Sequence, residues 1–252
     1  MSDACYHFQF SLFVTGRGEK QHLPKLFKSV AESRICSFIV KEFIGQLHPI
    51  TSPKRLAKMV GSGKMIPDKD FEKIGAPARR YINEDQCNRV IIVDDLEEDS
   101  RPNVMDKFNR YRLALNSALQ DKKDRASVHF LVNMLEAYFF AHPDAVNIAL
   151  GLEPPMKEWD GDVESIRHPK SELRKYAPNY HQIDSVGQIL DMLDLDVILA
   201  NPNHCAALRT CIKWIVGQLL DYPKKEYLVQ QNFDERFHLQ TGRLLTETAS
   251  QL

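Results

Sequence analysis

The run "RVIIVDD", residues 89–95, narrows most what this chain can fold into. Its apolar residues are continuous rather than alternating, and it ends in two aspartates. A strand with one wet face alternates apolar and polar residues. A continuous run suits a strand covered on both faces of a parallel sheet. "FQFSLFVT" (8–15), rich in aromatic and β-branched residues, reads as a strand, as do "ICSFIVKEFI" (35–44) and "ASVHFLV" (126–132). Parallel strands need crossovers, and helical spacing lies between these runs. Leu23, Leu26, Phe27 and Val30 fall on one face of a helix in 19–33, with Pro24 in its first turn. Phe108, Tyr111, Leu115 and Leu119 do the same in a helix over 103–122. The order β-α-β-(α)-β-α-β-α predicts an α/β domain over residues 1–150, a mostly parallel sheet flanked by helices.

The remaining segments are less regular. Residues 45–85 mix Gly and Pro breakers with a basic face of Lys54, Arg55, Lys58, Lys64, Arg79 and Arg80, and read as a long crossover. "NMLEAYFFAHPDAVNIAL" predicts a helix broken near Pro143. Residues 151–252 predict a loop-rich connection followed by a C-terminal helical extension packed on the same domain. Its second helix carries the stripe Leu208, Cys211, Ile212, Ile215 and Leu219. The polar tail after 241 is expected to be loosely held.

Composition excludes several classes. The chain has 252 residues and a net charge of -1, so no overall basic field draws it onto nucleic acid; such contact needs a local patch. Its five cysteines are an odd number without a C-x-x-C pair, which argues against a disulfide scaffold or a structural zinc site. Free buried thiols in a reducing cytoplasm are expected. No basic segment with a long apolar run opens the sequence, and no stretch is apolar enough to span a bilayer, so a cytoplasmic protein without membrane contact is expected.

Acidic residues carry the strongest chemical signal. "IIVDDLEED" places Asp94, Asp95, Glu97 and Glu98 at or beyond the carboxyl end of a strand, where open α/β sheets bind ligands. Crowded carboxylates repel unless water or a cation screens them, and hard oxygen donors suit Mg2+ or Mn2+. The same acids could instead cap the next helix as a solvated loop. Glu19 follows the first strand through "TGRGEK", where Gly16 and Gly18 would let the chain bend and bring it to the same edge. It could equally be a plain acid at a helix start. Glu136 sits in the apolar "HFLVNMLEAYFFAHP" and needs a partner if buried; an ion pair or a surface position are the alternatives. "GSGK" at 61–64 lacks the first glycine and the Ser/Thr of a phosphate loop, and reads as a connection. The histidines make no H-x-x-x-H pair and are expected to pack or cap.

Three segments together, "FVTGRGEK", "VIIVDDLE" and "HFLVNMLEAYFFA", resemble the TOPRIM fold of topoisomerases, primases and overcoming-lysogenisation-defect (OLD) nucleases. More narrowly, the chain is similar to small stand-alone TOPRIM-like proteins of unknown function, often encoded beside ABC/AAA-type ATPases. The resemblance covers residues 8–150 and extends more weakly to about 220 through "HPKSELRKY". It implies a Mg2+- or Mn2+-dependent nuclease cutting DNA or RNA, an effector in anti-phage defence with a partner ATPase. A homo-oligomer is left open. By the resemblance, Gly16 and Glu19 match the glycine turn and the acid after it. Asp95 and Glu97 match an altered Asp-x-Asp with Asp94 adjacent, and Glu136 matches a later acid. Glu19, Asp95 and Lys170 would be catalytic, and Glu19, Asp94, Asp95, Glu97 and Glu136 would hold metal. Gly16, Arg17, Gly18, Lys20 and Lys64 would contact phosphate. One position departs: Thr15 stands where the pattern has glutamate. This leaves a second expectation, a module that binds a partner without cutting.

Overall fold

A computed structural model of the protein describes residues 4–45, 57–59, 65–67, 69–181 and 183–252. In chain order its regular elements begin with β1 (Phe8–Val14), α1 (Arg17–His22), α2 (Lys28–Ala31) and β2 (Cys36–Phe43). The short pair β3 (Ala57–Met59) and β4 (Met65–Pro67) precedes α3 (Ala76–Glu84), β5 (Asn88–Leu96), α4 (Val104–Leu119), β6 (Ala126–Val132) and α5 (Pro143–Leu150). The chain continues with α6 (Pro169–Tyr176), α7 (Asp184–Met192), α8 (Leu195–Ile198) and α9 (Ala206–Leu219). It closes with α10 (Lys225–Gln231), α11 (Phe233–Arg236) and α12 (Thr246–Ala249). The main sheet has four strands, all parallel, in the order β2-β1-β5-β6. The expected α/β fold, with helices on both faces and a C-terminal helical extension, is the observed one.

The continuous apolar run at 90–93 is explained by its surroundings. Ile91 and Val93 face one helical layer together with Leu12, Val14 and Leu131. Val90, Ile92 and Leu96 face the other with Phe13, Val128 and Phe130. Helix α4 covers that second face through Phe108, Tyr111, Leu115 and Leu119, the spacing read from sequence. The first face is covered by α7 and α9, whose Ile189, Leu208, Ile212 and Ile215 join the core of β1 and β5. One core thus runs from Cys5 to Leu239, and the segment after 151 completes it.

Several expectations are corrected. The helix over 19–33 is α1, a 3-10 turn over Leu23–Phe27, and α2. Pro24 has no N–H to donate, so the turn tightens there, yet Leu23, Leu26, Phe27 and Val30 are all buried. Residues 135–141 form a 3-10 turn rather than the start of a helix. The tail is held: Thr248 is buried, and the Gln251 amide pairs with both backbone groups of Val128 on the β6 edge. Cys5 and Cys87 are joined, with Cα atoms 5.4 Å apart, while Cys36, Cys205 and Cys211 are free and buried. The pair is remote in sequence, but it sits just before β1 and β5, which are sheet neighbours. Of the basic crossover face, Lys54, Arg55 and Lys64 lie outside the described residues. Arg79 and Arg80 are exposed on α3, and Arg80 reaches Glu42 at 3.1 Å. Among the described residues no helix is long and apolar enough to cross a membrane.

Candidate functional site

Parallel strands end on one edge, so the residues following β1, β5 and β6 gather at the carboxyl edge of the sheet. The first contribution is Glu19, buried at 7% exposure in α1. Gly16 caps α1 in an extended conformation, φ -96 and ψ 154, and neither it nor Gly18 has positive φ. The expected sharp glycine bend is therefore not what Gly16 provides. A Cβ there would collide with the Glu19 carboxylate, so glycine supplies the volume into which that side chain folds back. The carboxylate accepts its own backbone N–H.

Asp94 and Asp95 alternate across the strand. Asp94 faces α4. Its Oδ1 accepts the Thr15 hydroxyl at 2.6 Å, its Oδ2 accepts the Tyr111 hydroxyl at 2.9 Å, and Lys107 Nζ stands 3.6 Å away. Asp95 turns to the opposite face. Its Oδ1 is enclosed and has no hydrogen-bond partner. Burial, then the negative fields of Glu19, Glu136 and Asp94, push its carboxyl well above the usual aspartate range, and Lys170 opposes them. Glu19 is also raised, first by burial, with Glu136 and Asp94 adding and its own N–H and Lys170 opposing.

Glu136 arrives over a turn in which two successive non-glycine residues, Asn133 (φ 55) and Met134 (φ 76), take positive φ. Asparagine tolerates this conformation; methionine adopts it only where the surroundings enforce it. Glu136 is 2% exposed. Its Oε1 accepts the Tyr180 hydroxyl at 3.0 Å and lies 3.6 Å from Lys170 Nζ. Both partners come from the segment around α6, so the C-terminal half builds one wall of the site.

The structure thus brings Glu19, Asp95, Glu136 and Lys170 into one electrostatic cluster. Asp94 adjoins it with both oxygens engaged elsewhere. Glu97 is exposed, at the cap of the 3-10 turn Glu98–Asn103, because β5 ends at Leu96 and the chain turns away before it. Arg17 and Lys20 are exposed on α1, the Lys20 ammonium lying 5.5 Å from the Phe43 ring centre. Lys64 falls outside the described residues. A polar cleft of about 230 Å³, lined by Arg79, Asn83, Gln120 and Lys122, lies at the far end of α4 and takes no part in the cluster.

A hard divalent cation fits the donor chemistry here. The donors are carboxylate oxygens, Asp95 Oδ1 is orphaned and buried, and like charges are crowded in a way a cation would relieve. Among the described residues no three donor groups converge as a ready cage. Sequence reasoning missed Tyr111, Lys107 and Tyr180, which hold Asp94 and Glu136, and missed Thr15 as a partner of Asp94. Those contacts span 13 to 79 residues along the chain, and no local motif marks them. No protein-family model, curated protein or solved structure matches this chain.

Proposed function

We propose that this protein is a metal-dependent nuclease of TOPRIM-like type that hydrolyses phosphodiester bonds in DNA or RNA. The supporting observation is the group Glu19, Asp95 and Glu136 at the carboxyl edge of a parallel sheet, with an enclosed, unpartnered oxygen on Asp95. Glu19, Asp95 and Glu136 would hold Mg2+ or Mn2+, which supplies charge stabilisation and an acidified water. The Lys170 ammonium stands beside Glu136 with part of its surface open, and it would meet a substrate phosphate. Tyr180 fixes Glu136, and Asp94 fixes the ends of β1 and β5. Arg17 and Lys20, exposed on α1, would meet the flanking backbone. The resemblance read from sequence extends the proposal to a partner ATPase of ABC/AAA type, a role in phage defence and a cytoplasmic setting.

Thermal melting with EDTA, Mg2+ or Mn2+, beside a cleavage assay on single- and double-stranded DNA and RNA, tests the reading. A cation binding the folded state raises the melting temperature by mass action. The rise and the cleavage should vanish in Asp95→Asn and Glu19→Gln and persist in Glu97→Ala. Cleavage that survives Asp95→Asn would overturn the assignment. One observation favours a second reading, a non-cutting binding module: the Thr15 hydroxyl, where the family pattern has a glutamate, is already engaged by Asp94. A wild type with neither cation response nor cleavage would favour that module.

A further inference from the structure

Glu164 is a buried acid outside the carboxylate cluster, 6% exposed, in the 3-10 turn Val163–Ser165. Its Oε1 accepts the Tyr138 hydroxyl at 2.8 Å and the Leu208 N–H at 3.3 Å. The Ala207 N–H reaches Oε1 and Oε2 at 3.0 and 3.2 Å. These are N–H groups of the first turn of α9, which has no side-chain cap of its own. The main-chain carbonyl of the same residue accepts Asn133 Nδ2 at 3.0 Å and Arg101 Nη2 at 2.7 Å.

Two of these contacts bracket Glu136. Asn133 is the first positive-φ residue after β6, and Tyr138 lies two residues beyond Glu136. The turn that presents Glu136 is a strained one and needs outside support to persist. Glu164 grips it on both sides and anchors it to the start of α9. We propose that Glu164 is a positioning residue for Glu136, acting through Tyr138 and Asn133, so that the geometry of the carboxylate site depends on α9. This rests on the reading of Glu136 as a cation ligand only for its consequence in binding; the grip on the turn stands on its own contacts.

Other ionisable groups surround Glu164. Burial, then Asp162, push its carboxyl up to about 7, opposed by the Tyr138 hydroxyl and the two α9 N–H groups. The Cys205 thiol and the Arg209 guanidinium stand within its field, and Arg101 meets its carbonyl.

The test uses the full chain and four proteins: wild type, Glu164→Gln, Glu164→Ala and Tyr138→Phe. Amide exchange over 133–138 is followed without metal, with β1 as the internal control, and Mn2+ affinity is measured in parallel. Exchange over 133–138 should quicken in all three variants while β1 stays as in wild type. Glu164→Gln, which keeps an acceptor for Tyr138, should be milder than Glu164→Ala. Mn2+ affinity should fall on the order of tenfold or more, the usual effect of removing a group that orients a ligand. Tyr138→Phe removes a single hydroxyl and keeps the test valid if Glu164→Ala does not fold. Unchanged exchange over 133–138 overturns the proposal whether or not metal binds. Faster exchange with wild-type Mn2+ affinity in the variants also overturns it. Faster exchange with a wild type that binds no Mn2+ upholds the grip and overturns the cation site instead.

Discussion

The two ends of the β1–β5 pair are held by opposite means. At the amino end Cys5 and Cys87 are bonded. There the Arg89 guanidinium lies 5.1 Å from the Phe8 ring centre and donates to Gln218 Oε1 at 2.6 Å and to Gln86 O at 2.8 Å. At the carboxyl end Thr15 and Asp94 link the same two strands by one short hydrogen bond, and on the opposite face Asp95 is crowded by Glu19 and Glu136. One end is arranged for cohesion. The other combines a satisfied polar clamp with an unsatisfied acidic group one residue away. A fold that tolerates the second arrangement draws its stability from elsewhere, and a local violation of good packing is where a function is expected.

The largest test of this contrast is Asp94→Ala. It strands the Thr15 and Tyr111 hydroxyls and Lys107, and should cost about 3 kcal/mol. In a domain of this size that lowers the melting temperature by about 6–12 °C, measurable by calorimetry. Opening the Cys5–Cys87 bond, by reduction or by the double serine variant, should cost about 2 kcal/mol, toward the low end for a long loop because the β1–β5 ladder already restrains it. It should leave any cation response unchanged; loss of that response would show the two ends to be coupled. Asp95→Asn should act in the reverse direction. It replaces a carboxyl whose ionisation is opposed first by burial and then by Glu19 and Glu136, and should raise the melting temperature of the cation-free protein.

The same pair of raised acids fixes a pH trend. Without a cation, folded Asp95 and Glu19 hold protons that the unfolded chain has released, so stability falls as pH rises through their raised range. Asp95→Asn should flatten that slope in a series of melts. The smallest effect expected is that of Thr15→Val, about 1 kcal/mol, with Thr15→Ser restoring the wild-type value.

Much of the fold was legible because it is local. The run at 90–93 carries its two-sided burial in its composition, and the stripe from Leu208 to Leu219 carries its face in its spacing. The acids at the ends of β1 and β5 were legible for the same reason, since a strand end can be seen in the sequence. What each acid meets could not be. Asp94 and Asp95 look equivalent in "VDDL", and only the pleat, with Tyr111 on one side and Glu19 on the other, separates them. Glu97 keeps the spacing of an Asp-x-Asp motif and misses the cluster because the strand ends one residue before it. Glu164, Tyr138 and Tyr180 are joined to their partners only by tertiary folding. Gly16 looks like a bend in the sequence and is a vacancy for a side chain in the fold; its extended φ removes the first reading and the Glu19 carboxylate beside it supplies the second.

The hold of Gln251 on Val128 has a consequence for the molecule among its neighbours. At that position of β6 a single primary amide offers the carbonyl and the N–H that a fifth strand would offer. An open strand rim invites the rim of another molecule. Removal of residues 246–252 would uncover this rim, and the shortened protein should self-associate at concentrations where the full chain does not.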